Sequence, residues 1–136
     1  MKMSGVKSGM ESLVLALDEL SDAIVVLEDG ASDELHKRMY VDAVIKRFEV
    51  TFEYCWKLMK AASEYQGSDA PGPRPAIQKA IRFGWIDEPE FWAEALDARN
   101  GSVHGYFGIS RDEYIKMVKR FVKEARKVLK SLESDF

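Results

Sequence analysis

The sequence predicts an all-α fold, an antiparallel up-and-down bundle of about five helices, four-helix-bundle-like and forming one domain over residues 1–136. Three observations carry this. Apolar residues recur three and four apart along most of the chain, the period of one helix face. No stretch of useful length alternates apolar and polar residues in the manner of a half-buried strand. Helix breakers gather at few points, with three of the four prolines (Pro71, Pro73, Pro75) in one stretch, so the chain is cut into a few long pieces.

The first helix is marked by Met10, Leu13, Leu17, Leu20, Ile24 and Leu27, with Gly30 placed to stop it. Ser32 is positioned to cap a second, long helix, and Asp33 and Glu34 complement its positive end. Leu35, Met39, Ile45, Phe48, Phe52, Trp56 and Met59 mark its apolar stripe, which runs to about Tyr65. Residues 66–75 form a loop, and Pro75 opens a short third helix carrying Ile77 and Ile81, ended by Gly84. Asp87 and Glu90 resemble a capping box, with Pro89 in the first turn of a fourth helix through Phe91, Ala95 and Leu96. Ser110 and Glu113 repeat the box before Ile115, Val118, Val122, Ala125, Leu129 and Leu132.

Composition narrows the function. With 136 residues the chain is long enough for one genuine core. At 46% hydrophobic and 32% charged it is too apolar for disorder and too charged for a bilayer. Its 20 basic and 23 acidic residues give 20 − 23 = −3, so no basic stripe for nonspecific polyanion binding is expected. One cysteine makes no internal disulfide, which favours a reducing compartment, and the longest apolar runs, 13–17 and 23–27, are interrupted by acids. The cytoplasm, no membrane and no cofactor are expected. Two distant histidines and one thiol make no zinc site, so no metal is expected.

The reactive residues concentrate between the fourth and fifth helices, where Asp97, Arg99, Asn100, Ser102, His104 and Tyr106 are spaced by Gly101, Gly105 and Gly108. On an ideal helix Arg99 and His104 would point about 140° apart; the glycines allow a bend that brings them together. Asn100 and His104 are one turn apart and share a face wherever helix persists. A histidine titrating near neutrality can exchange a proton with a ribose hydroxyl or a leaving oxygen. A guanidinium can hold two phosphate oxygens and stabilise charge in the transition state. Such cleavage needs an acid and a base, and a symmetric dimer would supply two histidines. Taken alone, the spacing is short and common, and such a segment is more often a capped turn with a surface ion pair.

Elsewhere, Arg47, Glu49, Glu53 and Lys57 lie at helical spacing, either as a solvated, mutually paired face or with Arg47 or Glu53 lining a cleft beside His104. Phe48, Phe52 and Trp56 form an aromatic stripe that reads as core. His36 reads as a surface residue near Asp33, and Cys55 as a small buried apolar group. There is no phosphate-binding glycine loop and no Asp-x-Asp pair for two metals, so the chain does not itself transfer nucleotides by the two-metal route.

Two blocks carry a family resemblance. Arg99, Asn100, His104 and Tyr106 resemble the Arg-Asn-x3-His-x-Tyr signature of the HEPN superfamily (higher eukaryotes and prokaryotes nucleotide-binding domains). Arg47, Phe48, Glu49, Phe52, Glu53, Trp56 and Lys57 resemble the Arg-Phe-Glu-x-x-Phe-Glu-x-x-Trp-Lys block of nucleotidyltransferase substrate-binding proteins, and the Pro73-Arg74 to Ile86 stretch resembles the block that follows it. The resemblance implies a helical homodimer partnered with a small, separately encoded nucleotidyltransferase, with a nucleotide or RNA as ligand. In the related HepT-type toxins of toxin–antitoxin pairs, the Arg and His cleave RNA and the partner adenylylates the Tyr. Carried over, Arg99 and His104 are catalytic, Asn100 is a supporting polar group and Tyr106 is the modification target. Gly101-Ser102 stand where those toxins commonly carry aliphatic residues. Three readings follow: a substrate-binding subunit of a nucleotidyltransferase pair, a metal-independent endoribonuclease, and a helical scaffold.

Overall fold

Val6, Leu13, Leu17, Leu20, Ile24 and Leu27 repeat at helical spacing and are all buried, and they build α1 (Met3–Gly30). This helix starts seven residues before Met10. Val6 continues the same stripe backwards, through a Ser/Gly/Lys-containing stretch that conceals the period. The computed structural model describes residues 3–30, 33–102 and 110–136. Ser32, His104 and Tyr106 therefore lie outside the described residues. Five helices, and no strand, are found among the described residues, and helix accounts for 87% of the structure.

Asp33, rather than the expected Ser32, caps α2 (Glu34–Tyr65): its carboxylate accepts the His36 amide at 2.9 Å. The His36 ring lies 2.8 Å from the same carboxylate, at the surface as expected. These two hydrogen bonds, first to the amide and then to the ring, hold the Asp33 carboxyl below the usual aspartate range. Leu35 and Met39 fall outside the core, at 58% and 57% exposure. The buried stripe begins only at Val41 and continues through Val44, Phe48, Phe52, Cys55 and Met59. The helix closes on Gly67, whose φ of +84° directs Ser68 N to the Ser63 carbonyl.

Helix α3 (Pro73–Arg82) begins two residues before Pro75. Prolines 73 and 75 both sit in its first turn, where the missing N–H groups would be unsatisfied anyway. Gly84, at φ +81°, ends it as expected. Helix α4 (Pro89–Ser102) follows. Its first bond runs from Trp92 N to Glu88 O, which makes Glu88 the boundary residue, while Asp87 lies 3.5 Å from Lys127. Helix α5 (Arg111–Asp135) has the expected cap: Glu113 N donates to Ser110 Oγ at 3.2 Å.

Interdigitated aromatic rings fill the centre. Phe48 meets Tyr114 and Phe121 edge-on at 5.8 and 5.0 Å, and Trp92 meets Phe121 at 5.7 Å. Such pairs add roughly 0.5–1.5 kcal/mol each beyond their buried area. Arg126–Asp18 (3.0 Å) and Lys119–Glu28 (2.7 Å) run α5 antiparallel to α1. Along the other flank Phe52 reaches Trp92 at 6.5 Å. That contact docks α4 on the middle of α2 and brings the last turn of α4 over Glu53.

Candidate functional site

The site begins with helical spacing on α2. Lys46, Glu49, Val50 and Glu53 share one face, and with Arg99 from α4 they line a cleft of about 310 Å³. Phe48 and Phe52, buried on the opposite face, fix the rotation that turns this face outward. Arg99 stands in the last turn of α4, where a cation complements the helix dipole.

Glu53 is the centre of the contacts. Its Oε2 accepts Arg99 Nη2 at 3.0 Å and the Trp56 indole N–H at 3.0 Å, and Lys57 Nζ lies 3.7 Å from Oε1. Arg99 Nη1 also donates to Asn100 Oδ1 at 3.1 Å. Arg99, Asn100, Glu53 and Lys57, expected on separate grounds, are thus brought together. Arg47 is not with them. It points to the α1 side, pairs with Glu19 at 2.9 Å, and lines a second groove of about 260 Å³ with Leu15, Thr51 and Tyr54. His104 and Tyr106 belong to the same reading but lie outside the described residues.

Lys46, Glu49 and Trp56 were not anticipated at the site. The register of α2 could have found the first two: Lys46 is two turns from Glu53 and faces the same way, whereas Arg47 is turned by a further 100° or so. For Trp56 the aromatic stripe was misleading. Phe48 and Phe52 are core, but Trp56 is only partly buried and spends its N–H on Glu53.

Cationic Lys46, Lys57 and Arg99 therefore stand against anionic Glu49 and Glu53, a mixed field suited to a small phosphate group rather than a long polyanion. A guanidinium carries five N–H donors, enough to keep a carboxylate partner and still grip an oxyanion. Cys55 is one residue from Trp56 but wholly buried, and burial pushes its thiol far above its ordinary value, so it is no nucleophile. Among the described residues no group of three or more His, Cys, Asp or Glu could hold a metal, and no helix is long and apolar enough to cross a membrane.

Residues 10–134 match the family described as nucleotidyltransferase substrate binding protein like. No curated protein matches the chain.

Proposed function

Because the chain belongs to the nucleotidyltransferase substrate binding protein like family, we propose that it is the nucleotide-binding subunit of a two-component, toxin–antitoxin-like pair. Its partner is a small, separately encoded nucleotidyltransferase, and Tyr106 is the residue that partner adenylylates. The observation that carries this is the Arg99–Glu53 contact across the α2–α4 cleft. It takes one residue from each of the two sequence blocks behind the family resemblance and places them side by side. A nucleotide phosphate engages Arg99, with Lys46 and Lys57 nearby, and the segment bearing Tyr106 follows α4 directly in the chain. A homodimer would set two such segments against each other.

The test is co-expression with the proposed nucleotidyltransferase partner, followed by intact-mass measurement. An added adenylate that vanishes in Tyr106→Phe supports the reading. An unmodified chain in the presence of an active partner overturns the Tyr106 assignment.

A second reading, metal-independent RNA cleavage by Arg99 and His104 across a dimer, draws on the way Glu53 and Asn100 both bond the Arg99 guanidinium. EDTA-resistant cleavage that is lost in His104→Ala would establish it. RNA left equally intact by wild type and mutant, with the partner absent, would remove it.

A further inference from the structure

Glu53 would be an unremarkable helix carboxylate were it not for what fixes it. A glutamate on a partly exposed face samples several rotamers, and tying it to an arginine costs entropy on both side chains. Here the indole of Trp56, one turn further along α2 and packed against the core, donates to Glu53 Oε2 at 3.0 Å. The same oxygen receives Arg99 Nη2, also at 3.0 Å. A tryptophan has only two side-chain torsions, so once packed it presents its N–H from a nearly fixed point. The carboxylate is thereby anchored on its own helix before the arginine arrives from α4.

Resting on the reading above that Arg99 engages a phosphate, we infer that Trp56 and Glu53 form a positioning relay that presets the Arg99 guanidinium for a phosphate-bearing ligand. Neither residue needs to touch the ligand. Their contribution is to remove rotamer freedom from a long side chain in advance, as a rigid supporting layer does for any binding group.

The opposite role for Glu53 is easily stated. A carboxylate beside an arginine also cancels its charge, and in that case removing it would tighten anion binding. Trp56 separates the two roles, because Trp56→Phe leaves every charge in place and keeps an aromatic ring, while removing the N–H together with part of the ring's packing surface.

The experiment uses the full chain with a fluorescently labelled adenosine triphosphate, read by fluorescence anisotropy, and circular dichroism confirms that each variant is folded. Binding that depends on Arg99 is expected to weaken by roughly tenfold in Glu53→Ala and by about threefold in Trp56→Phe. Glu53→Gln, whose amide oxygen can still accept both N–H groups, should lie closer to wild type than Glu53→Ala does. Tighter binding in both Glu53 variants, with Trp56→Phe unchanged, overturns the relay in favour of charge cancellation.

A second readout needs no ligand: the guanidinium nitrogen resonance of Arg99, assigned by its loss in Arg99→Lys. It should shift in Glu53→Ala and Trp56→Phe and return towards its wild-type position in Glu53→Gln. An unmoved resonance in folded Glu53→Ala and Trp56→Phe overturns the relay outright. If instead Arg99→Ala leaves nucleotide binding unchanged while the resonance responds, the relay stands and the phosphate reading of the cleft fails.

Discussion

Two of the arginine–glutamate contacts that helix α2 makes with its neighbours are nearly equal in length and different in almost everything else. On the α1 side Arg47 meets Glu19 at 2.9 Å, with the two side chains 51% and 58% exposed. On the α4 side Glu53 meets Arg99 at 3.0 Å, with exposures of 35% and 32%. Distance does not rank them; the companions do. Glu53 is also bonded by the Trp56 indole, and Asn100 holds the far side of the guanidinium. The Arg47–Glu19 pair spans a solvent-facing groove, where Coulomb energy is screened and holding two long side chains costs entropy. Two pairs that look alike in a contact list are thus a surface tie and a built site.

The strongest perturbation of this contrast lies beneath it. Phe52 is buried, carries the contact with Trp92 that docks α4, and packs against Phe121 of α5. Phe52→Ala should cost about 3–5 kcal/mol of stability, read as a lower urea midpoint. It should also act unevenly, abolishing the coupling between Glu53 and Arg99 while sparing that between Arg47 and Glu19. Equal loss at both pairs would mean that α4 is not seated through Phe52.

Smaller effects measure the pairs themselves. Double-mutant cycles to alanine should give a coupling of about 1 kcal/mol for Glu53–Arg99 and below about 0.5 kcal/mol for Glu19–Arg47. Raising the salt to about 1 M, where the screening length falls to roughly 3 Å, should erase the second value and leave most of the first. Couplings that are equal and equally salt-sensitive would make Glu53–Arg99 another surface tie.

The asymmetry between the two sides of α2 also explains what could be read in advance. The bundle was legible because the core stripes of α1 and α5 follow an uninterrupted helical period, and because Gly30, Gly84 and Ser110 mark boundaries by their own chemistry. Arg99, Glu53 and Lys57 were legible from motif blocks alone. What periodicity could not supply is rotation. Leu35 and Met39 keep the period of α2 yet face solvent. Arg47 and Lys46 are adjacent in sequence, and only the packing of Phe48 against α5 decides which of them faces the cleft. Trp56 was assigned to the core because apolar spacing does not say which aromatic carries a polar edge to a carboxylate.

The smallest predicted effect provides a baseline for both pairs, a carboxylate contact at the open end of the same helix. Asp33 caps α2 by accepting the His36 amide, and its carboxyl is held below the ordinary value. A carboxylate depressed on folding contributes stability that is fully present above its unfolded value, about 3.9 for aspartate. That contribution is lost as the pH falls through the lower, folded value. The side-chain carboxyl carbon resonance of Asp33 should therefore titrate with a midpoint below about 3.9. Asp33→Asn keeps a capping oxygen, so α2 should still form, and thermal stability at neutral pH should fall only slightly. A wild-type midpoint at or above the unfolded aspartate value would show that this carboxylate is not held by the helix end at all. A midpoint below it would fix the scale of an exposed, locally held carboxylate on α2, the scale that Glu53 must exceed if α4 and Trp56 have made something more of it.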